Sequence, residues 1–208
     1  MTASQEKPAA ALGGTERLVT TIGDDEWGLP TPCTGWSVRD VLNHLVGGNL
    51  LFVRVLGGEP LPPREELMAA SRTDRLGEDA AGAYRASAAA LVEAFGAEGV
   101  LERPVTVPAG TFPGSGALQL RITEALVHGW DIARATDRPL EFPDPLVEEV
   151  LAFTRATLPR LPPRPEGHGP FAAAQPAPDD APALDRLAAL LGRPLAASGA
   201  AGDDSADD

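Results

Sequence analysis

The sequence predicts an all-α fold: a four-helix bundle with a proline-rich C-terminal extension and one short extra helix. Three observations point there. Apolar residues recur at helical spacing in several separate stretches. The one segment with brief alternation, RPVTVPAGTFPGSG (103–116), is crowded with turn residues and reads as a loop holding at most a short strand. Helix punctuation is explicit, with a capping box at one end of a stripe and a glycine pair at the other.

The elements follow in order. Residues 14–24 carry Leu18, Val19 and Ile22 at helical intervals, and the turn-rich GLPTPCTG follows. Ser37 with Asp40 three residues later forms a capping box, and Val38, Val41, Leu42, Leu45 and Val46 make the apolar face of a helix that reaches Leu56 and stops at Gly57-Gly58. Residues 59–73 form a proline-marked connection. A third helix spans about 77–95 through Ala80, Tyr84, Ala88, Leu91, Val92 and Phe95. The clearest helix is 117–136, striped by Leu118, Ile122, Ala125, Leu126, Gly129, Ile132 and Ala133. Another covers about 145–158. The expected organisation is therefore a bundle over 1–158, a proline-rich extension with a short helix (about 181–192) packed on it over 159–195, and a disordered acidic tail over 196–208.

Composition narrows the function. The 208 residues carry a formal net charge of −13, so no basic patch is available to neutralise phosphates, and nucleic acid and anionic membranes are poor partners. Cys33, the one cysteine, excludes an intrachain disulfide and any CxxC site. No basic-then-apolar leader opens the sequence and no run approaches 18 apolar residues, which points to a cytoplasmic protein.

On the 117–136 helix, Arg121, Glu124, His128 and Asp131 fall at alternating three- and four-residue steps, forming a stripe beside the apolar seam. Glu124 and His128, four apart, can aim a carboxylate and an imidazole at one point. His44 lies on the flank of its own helix, and Gly48 one turn on leaves room beside it for a ligand or another backbone. His44, Glu124 and His128 make a His₂Glu set of the kind open catalytic zinc sites use. Asp131 would orient His128, and Asp40 would orient His44. Plainer readings stand beside each: a solvated stripe, a satisfied edge histidine, a capping aspartate, and an Arg121–Glu124 ion pair in place of an Arg121 that binds an acidic substrate or cofactor. Cys33 is read as a packing residue in preference to a nucleophile, Trp36 and Trp130 as core or rim packing, and His168 as a surface-loop residue.

The wording around these residues is more specific than their spacing. WSVRDVLNHLVGG followed by EALVHGWDIARAT resembles the DinB/YfiT-like superfamily, in particular the actinobacterial branch of the mycothiol-dependent maleylpyruvate isomerase N-terminal domain. The resemblance implies a DinB-like four-helix bundle with a divalent metal, zinc foremost and nickel as an alternative, held by His44, Glu124 and His128. It implies a mycothiol-type thiol as cofactor, S-transfer or cis–trans isomerisation as the reaction, a small-molecule thiol or electrophile as partner, and a homodimer. The isomerase also carries a separate C-terminal α+β domain that these residues do not resemble, so its substrate is not carried over. A non-catalytic protein, with a structural or sensory ion, is the alternative.

Overall fold

The structure, a computed structural model, describes residues 3–160 and 171–195. His168 and the acidic tail lie outside the described residues. The order of elements is α1 (Ala3–Val19), α2 (Val38–Leu56), α3 (Arg64–Ser71), α4 (Ala80–Phe95), β1 (Pro104–Val107), β2 (Gly110–Pro113), α5 (Gly114–Thr136), α6 (Asp144–Thr157), a 3₁₀ turn (Leu158–Arg160) and α7 (Ala183–Leu190).

Four helices form the bundle. α1 packs on α4 and α5, and α2 packs on the same two, so the ring runs α1–α4–α2–α5. Its interior is filled by Leu12, Leu18, Leu42, Leu45, Tyr84, Leu91, Phe95, Ile122 and Leu126. The Tyr84 hydroxyl, wholly inside, donates to the Leu12 carbonyl at 3.3 Å, and the Thr15 hydroxyl donates to the Ala125 carbonyl at 3.1 Å. Both bonds satisfy polar atoms that the core would otherwise leave costly. α6 and α7 pack against each other and on the outer side of α5. α5 is therefore enclosed along most of its length, and its buried residues extend all round the helix.

The capping box forms as the sequence indicates. Ser37 accepts from the Asp40 amide, and the Asp40 carboxylate accepts from the Ser37 amide at 2.9 Å. It fixes where α2 begins, and so which way His44 points two turns later.

Three expectations are corrected. The first helix spans Ala3–Val19, not 14–24. Its inward face is built largely from small residues, Ala11 and Thr15 beside Leu12, which leave little hydrophobic periodicity to read, while Thr20 and Thr21 cap the end by donating to the carbonyls of Arg17 and Leu18. The connection after α2 contains the eight-residue α3, which buries no residue and so left no apolar stripe. Residues 104–113 form a two-stranded antiparallel hairpin, with Val105 opposite Phe112 and Val107 opposite Gly110. Its alternation is legible in hindsight: Val105 and Val107 point inward while Pro104 and Thr106 face solvent.

Leu42 is wholly buried between α4 and α5. Leu42→Ala is expected to lower the unfolding free energy by about 2–5 kcal/mol, read by urea denaturation, since the cavity it leaves collapses only partly.

Candidate metal centre

α2 and α5 pack side by side, and their facing edges carry His44 and Glu124. His44 Nε2 lies 2.9 Å from Glu124 Oε2. His128 Nε2, one turn along α5, lies 3.4 Å from the same oxygen. Two imidazole nitrogens from two helices thus converge on one carboxylate oxygen, and the three donor atoms lie within 4.8 Å of one another. His44 and Glu124 are partly exposed, whereas His128 is 0 % exposed. Among the described residues, His128 Nε2 is buried with no well-formed hydrogen bond, the 3.4 Å contact with Glu124 being its near approach. A poorly satisfied imidazole nitrogen in a protein interior calls for an explanation.

The electrostatics follow from burial and from these neighbours. Burial pushes the Glu124 carboxyl up, but the two imidazoles outweigh it and hold the group well below its usual range. Burial lowers His44, and the Glu124 carboxylate does not fully offset it. Burial acts downward on His128 too, yet the hydrogen bond to Asp131 and the close Glu124 carboxylate overcome it, and the imidazole titrates above its ordinary value.

Behind His128 lies Asp131. Its Oδ2 is 2.9 Å from His128 Nδ1, which donates, so the opposite nitrogen is turned toward Glu124 and His44. Asp131 also accepts from Arg193, whose Nη2 lies 2.8 Å from Oδ2 and whose Nε lies 3.1 Å from Oδ1. Burial would raise the Asp131 carboxyl, but His128 and Arg193 hold it down.

Two expected roles read differently here. Asp40 is exposed and its Oδ2 accepts from both the amide and the hydroxyl of Ser37, so it closes the cap at the start of α2 instead of holding His44. Arg121 is only 3 % exposed and fills the space that Gly48 leaves: a Cβ on Gly48 would come 2.4 Å from Arg121 Nη1. In place of the Glu124 ion pair that was its plainer reading, the guanidinium makes a 3.4 Å bond to the Leu45 carbonyl and lies 5.6 Å from the Phe52 ring centre, with Nε buried and without a hydrogen-bond partner among the described residues. Room beside His44 is therefore taken by this chain's own cation.

Trp36 belongs to the site in a way its position in a turn did not disclose. Its ring stacks on His128 at 5.8 Å and tilts against His44 at 4.9 Å, covering one side of each imidazole. A tryptophan one residue before the cap of the helix that carries His44 was the available signal. Trp130 lies on the outer side, donating from Nε1 to Asp185 at 2.6 Å.

Cys33 is half-buried beside Asp131 and His128, close enough for a second grouping of donor atoms within 4.8 Å. Within that grouping His128 and Asp131 already bond each other through Nδ1 and Oδ2. Burial pushes the thiol up to about 11, which leaves little thiolate at neutral pH.

Residues 9–133 match the family described as the mycothiol maleylpyruvate isomerase N-terminal domain. The chain belongs to that family. Two uncharacterized proteins from two strains of Mycobacterium tuberculosis are each 36% identical over 177 residues, covering 85% of this chain and 90% of theirs. The crystal structure of a mycothiol-dependent maleylpyruvate isomerase shares the fold, with a TM-score of 0.57 over 73% of this chain and 68% of that one, at 19% identity. An alanine mutant of the same enzyme gives 0.57 at 18% identity over the same shares. The fold is DinB-like and mostly helical, with the hairpin as its small sheet. Among the described residues, no helix is long and apolar enough to cross a membrane.

Two outcomes test these assignments. Asp40→Ala is expected to cost about 0.5–2 kcal/mol of stability through the lost cap, measured by thermal melts. Alkylation of Cys33 by iodoacetamide is expected to run roughly a hundredfold slower at pH 8 than that of an ordinary thiol, its rate climbing toward pH 11 as thiolate forms. A fast reaction at pH 7 would show an activated cysteine.

Proposed function

We propose that His44, Glu124 and His128 bind a divalent metal ion, and that the family member so loaded works with a low-molecular-weight thiol in S-transfer or cis–trans isomerisation. The observation that carries the reading is the convergence of His44 Nε2, Glu124 Oε2 and the buried His128 Nε2, which makes no well-formed hydrogen bond among the described residues. Two imidazoles and a carboxylate are a borderline donor set that suits zinc, and three protein ligands leave a coordination position for an exogenous one. Partial exposure of His44 and Glu124 gives that position a path from solvent.

A bound divalent ion would supply Lewis acidity and stabilise thiolate over thiol at neutral pH. The chain's own residues do the rest. Glu124 brings one negative charge to the centre, and Asp131 keeps the Nδ1 proton of His128 in place so that Nε2 presents its lone pair. Trp36 covers one side of both rings, closing His128 in while His44 keeps an open edge. Cys33, with its thiol pushed up to about 11, is a poor nucleophile, which favours a thiol brought from outside over one supplied by the protein.

The test is elemental analysis of the dialysed protein beside its variants. The parent is expected to retain near-stoichiometric zinc; His44→Ala, Glu124→Ala and His128→Ala are expected to lose it, and Cys33→Ser to keep it. Affinity should also fall with acid. The raised His128 value means that a proton competes with the ion, so zinc binding is constant above that value and drops by about tenfold per pH unit below it. A parent that takes up no added zinc, or alanine variants that hold it as well as the parent, would end the metal reading and its chemistry.

A further inference from the structure

Arg193 comes from a part of the chain outside the residues 9–133 that match the family, yet it reaches the back of the candidate centre. It is 3 % exposed, and the carboxylate it holds, Asp131, is 0 % exposed. Nε and Nη2 engage the two oxygens of Asp131 at 3.1 and 2.8 Å, a two-pronged contact that fixes the carboxylate plane as well as its position. Nη1 donates to the Leu191 carbonyl at 2.8 Å, and the guanidinium lies 5.5 Å from the Phe171 ring centre.

The segment that delivers Arg193 is itself built to hold it. Asp185 on α7 accepts from Trp130 Nε1 at 2.6 Å and from Arg134 Nη2 at 2.9 Å, pinning α7 to the outer face of α5. The Gln175 amide donates to the Ala189 carbonyl at 2.8 Å, drawing residues 171–175 alongside α7. Gly192 then turns the chain at φ +90°, where a Cβ would also meet Ala172 at 2.7 Å. The next residue is Arg193, aimed inward.

We propose that Arg193 is a positioning residue for the metal centre, and that the C-terminal segment is thereby a working part of the site. The inference rests on the metal reading above. A buried carboxylate held at one oxygen can turn about its bond to the chain, and the imidazole that donates to it turns too. Held at both oxygens by a planar fork, Asp131 keeps one orientation, His128 keeps its Nδ1 proton on Asp131, and Nε2 stays aimed at the point shared with Glu124 and His44.

The experiment compares the full chain with Arg193→Ala, Arg193→Lys, Asp185→Ala and His44→Ala, using zinc alone as the ligand. Affinity is read by competition with a chromophoric chelator, geometry by the visible spectrum of the cobalt(II)-substituted protein, and folding by thermal unfolding without metal. Arg193→Ala is expected to weaken zinc about 10–100-fold and to shift the cobalt bands, with Arg193→Lys recovering part of both because it keeps the charge without the fork. Asp185→Ala loosens the same segment without touching Asp131, so it should lower the melting temperature and leave affinity within a few-fold of the parent.

Parent-like affinity and cobalt bands in Arg193→Ala, while His44→Ala loses zinc, would overturn the positioning role and leave the metal reading standing. Equal weakening by Asp185→Ala and Arg193→Ala with parent-like cobalt bands in both would make the segment a general brace and overturn it too. Zinc retained in His44→Ala, or absent from the parent, would sink both together. Should Arg193→Ala fail to fold, Arg193→Lys decides: several-fold weaker zinc with shifted bands supports the proposal, and parent-like values refute it.

Discussion

Everything in this protein is arranged around the enclosure of α5. A helix touched by α1, α2, the hairpin, α6 and α7 has almost no face on which a polar side chain can meet water. Arg121, His128 and Asp131 are nevertheless on it, and all are buried. Burying such groups is expensive unless each is answered by a partner of opposite character. Asp131 and His128 answer each other, Arg193 closes that set, and Glu124 gathers two imidazoles. The architecture is the set of connections needed to bring those partners to one helix.

The two buried arginines show how differently one residue type can be used. Arg193 meets a carboxylate with both prongs, so its charge is balanced at close range. Arg121 finds a carbonyl, an aromatic face and a glycine-sized gap, none of which carries a negative charge. Its field reaches Glu124 and His44 instead, raising the cost of protonating His44 and steadying the carboxylate that both histidines approach. Two buried cations thus attend the centre, one paired with a carboxylate and one not among the described residues.

Much of this could be read in the sequence because it depends on local spacing. Ser37 and Asp40 declare the start of α2, and the four-residue step from Glu124 to His128 is geometry any helix imposes. The pairing of His44 with that stripe was legible through the two quoted stretches, which is a matter of family wording and not of physics. Long-range partnership was not legible. Nothing near Arg193 marks it as the mate of an aspartate 62 positions earlier, and a rim tryptophan looks the same in a string whether it covers solvent or two imidazoles. Asp40 shows the opposite case: of its two readings the local one, the cap on Ser37, is the one that forms, and the distant one to His44 is not. The start of α1 was lost because alanine and glycine pack a helix closely without marking it as amphipathic.

The separation between Asp131 and Arg193 also has a meaning in time. The four bundle helices are complete by Thr136, so a chain emerging from the ribosome can close its core and gather His44, Glu124 and His128 while residues 171–195 are still unmade. During that interval Asp131 has one partner, His128, where the finished molecule gives it two. Because translation adds about 5–20 residues each second, the interval lasts several seconds, long compared with the movements of side chains. The last stretch of the described chain thus arrives as a bolt on a door already shut, and the order of synthesis separates gathering the three side chains from locking one of them.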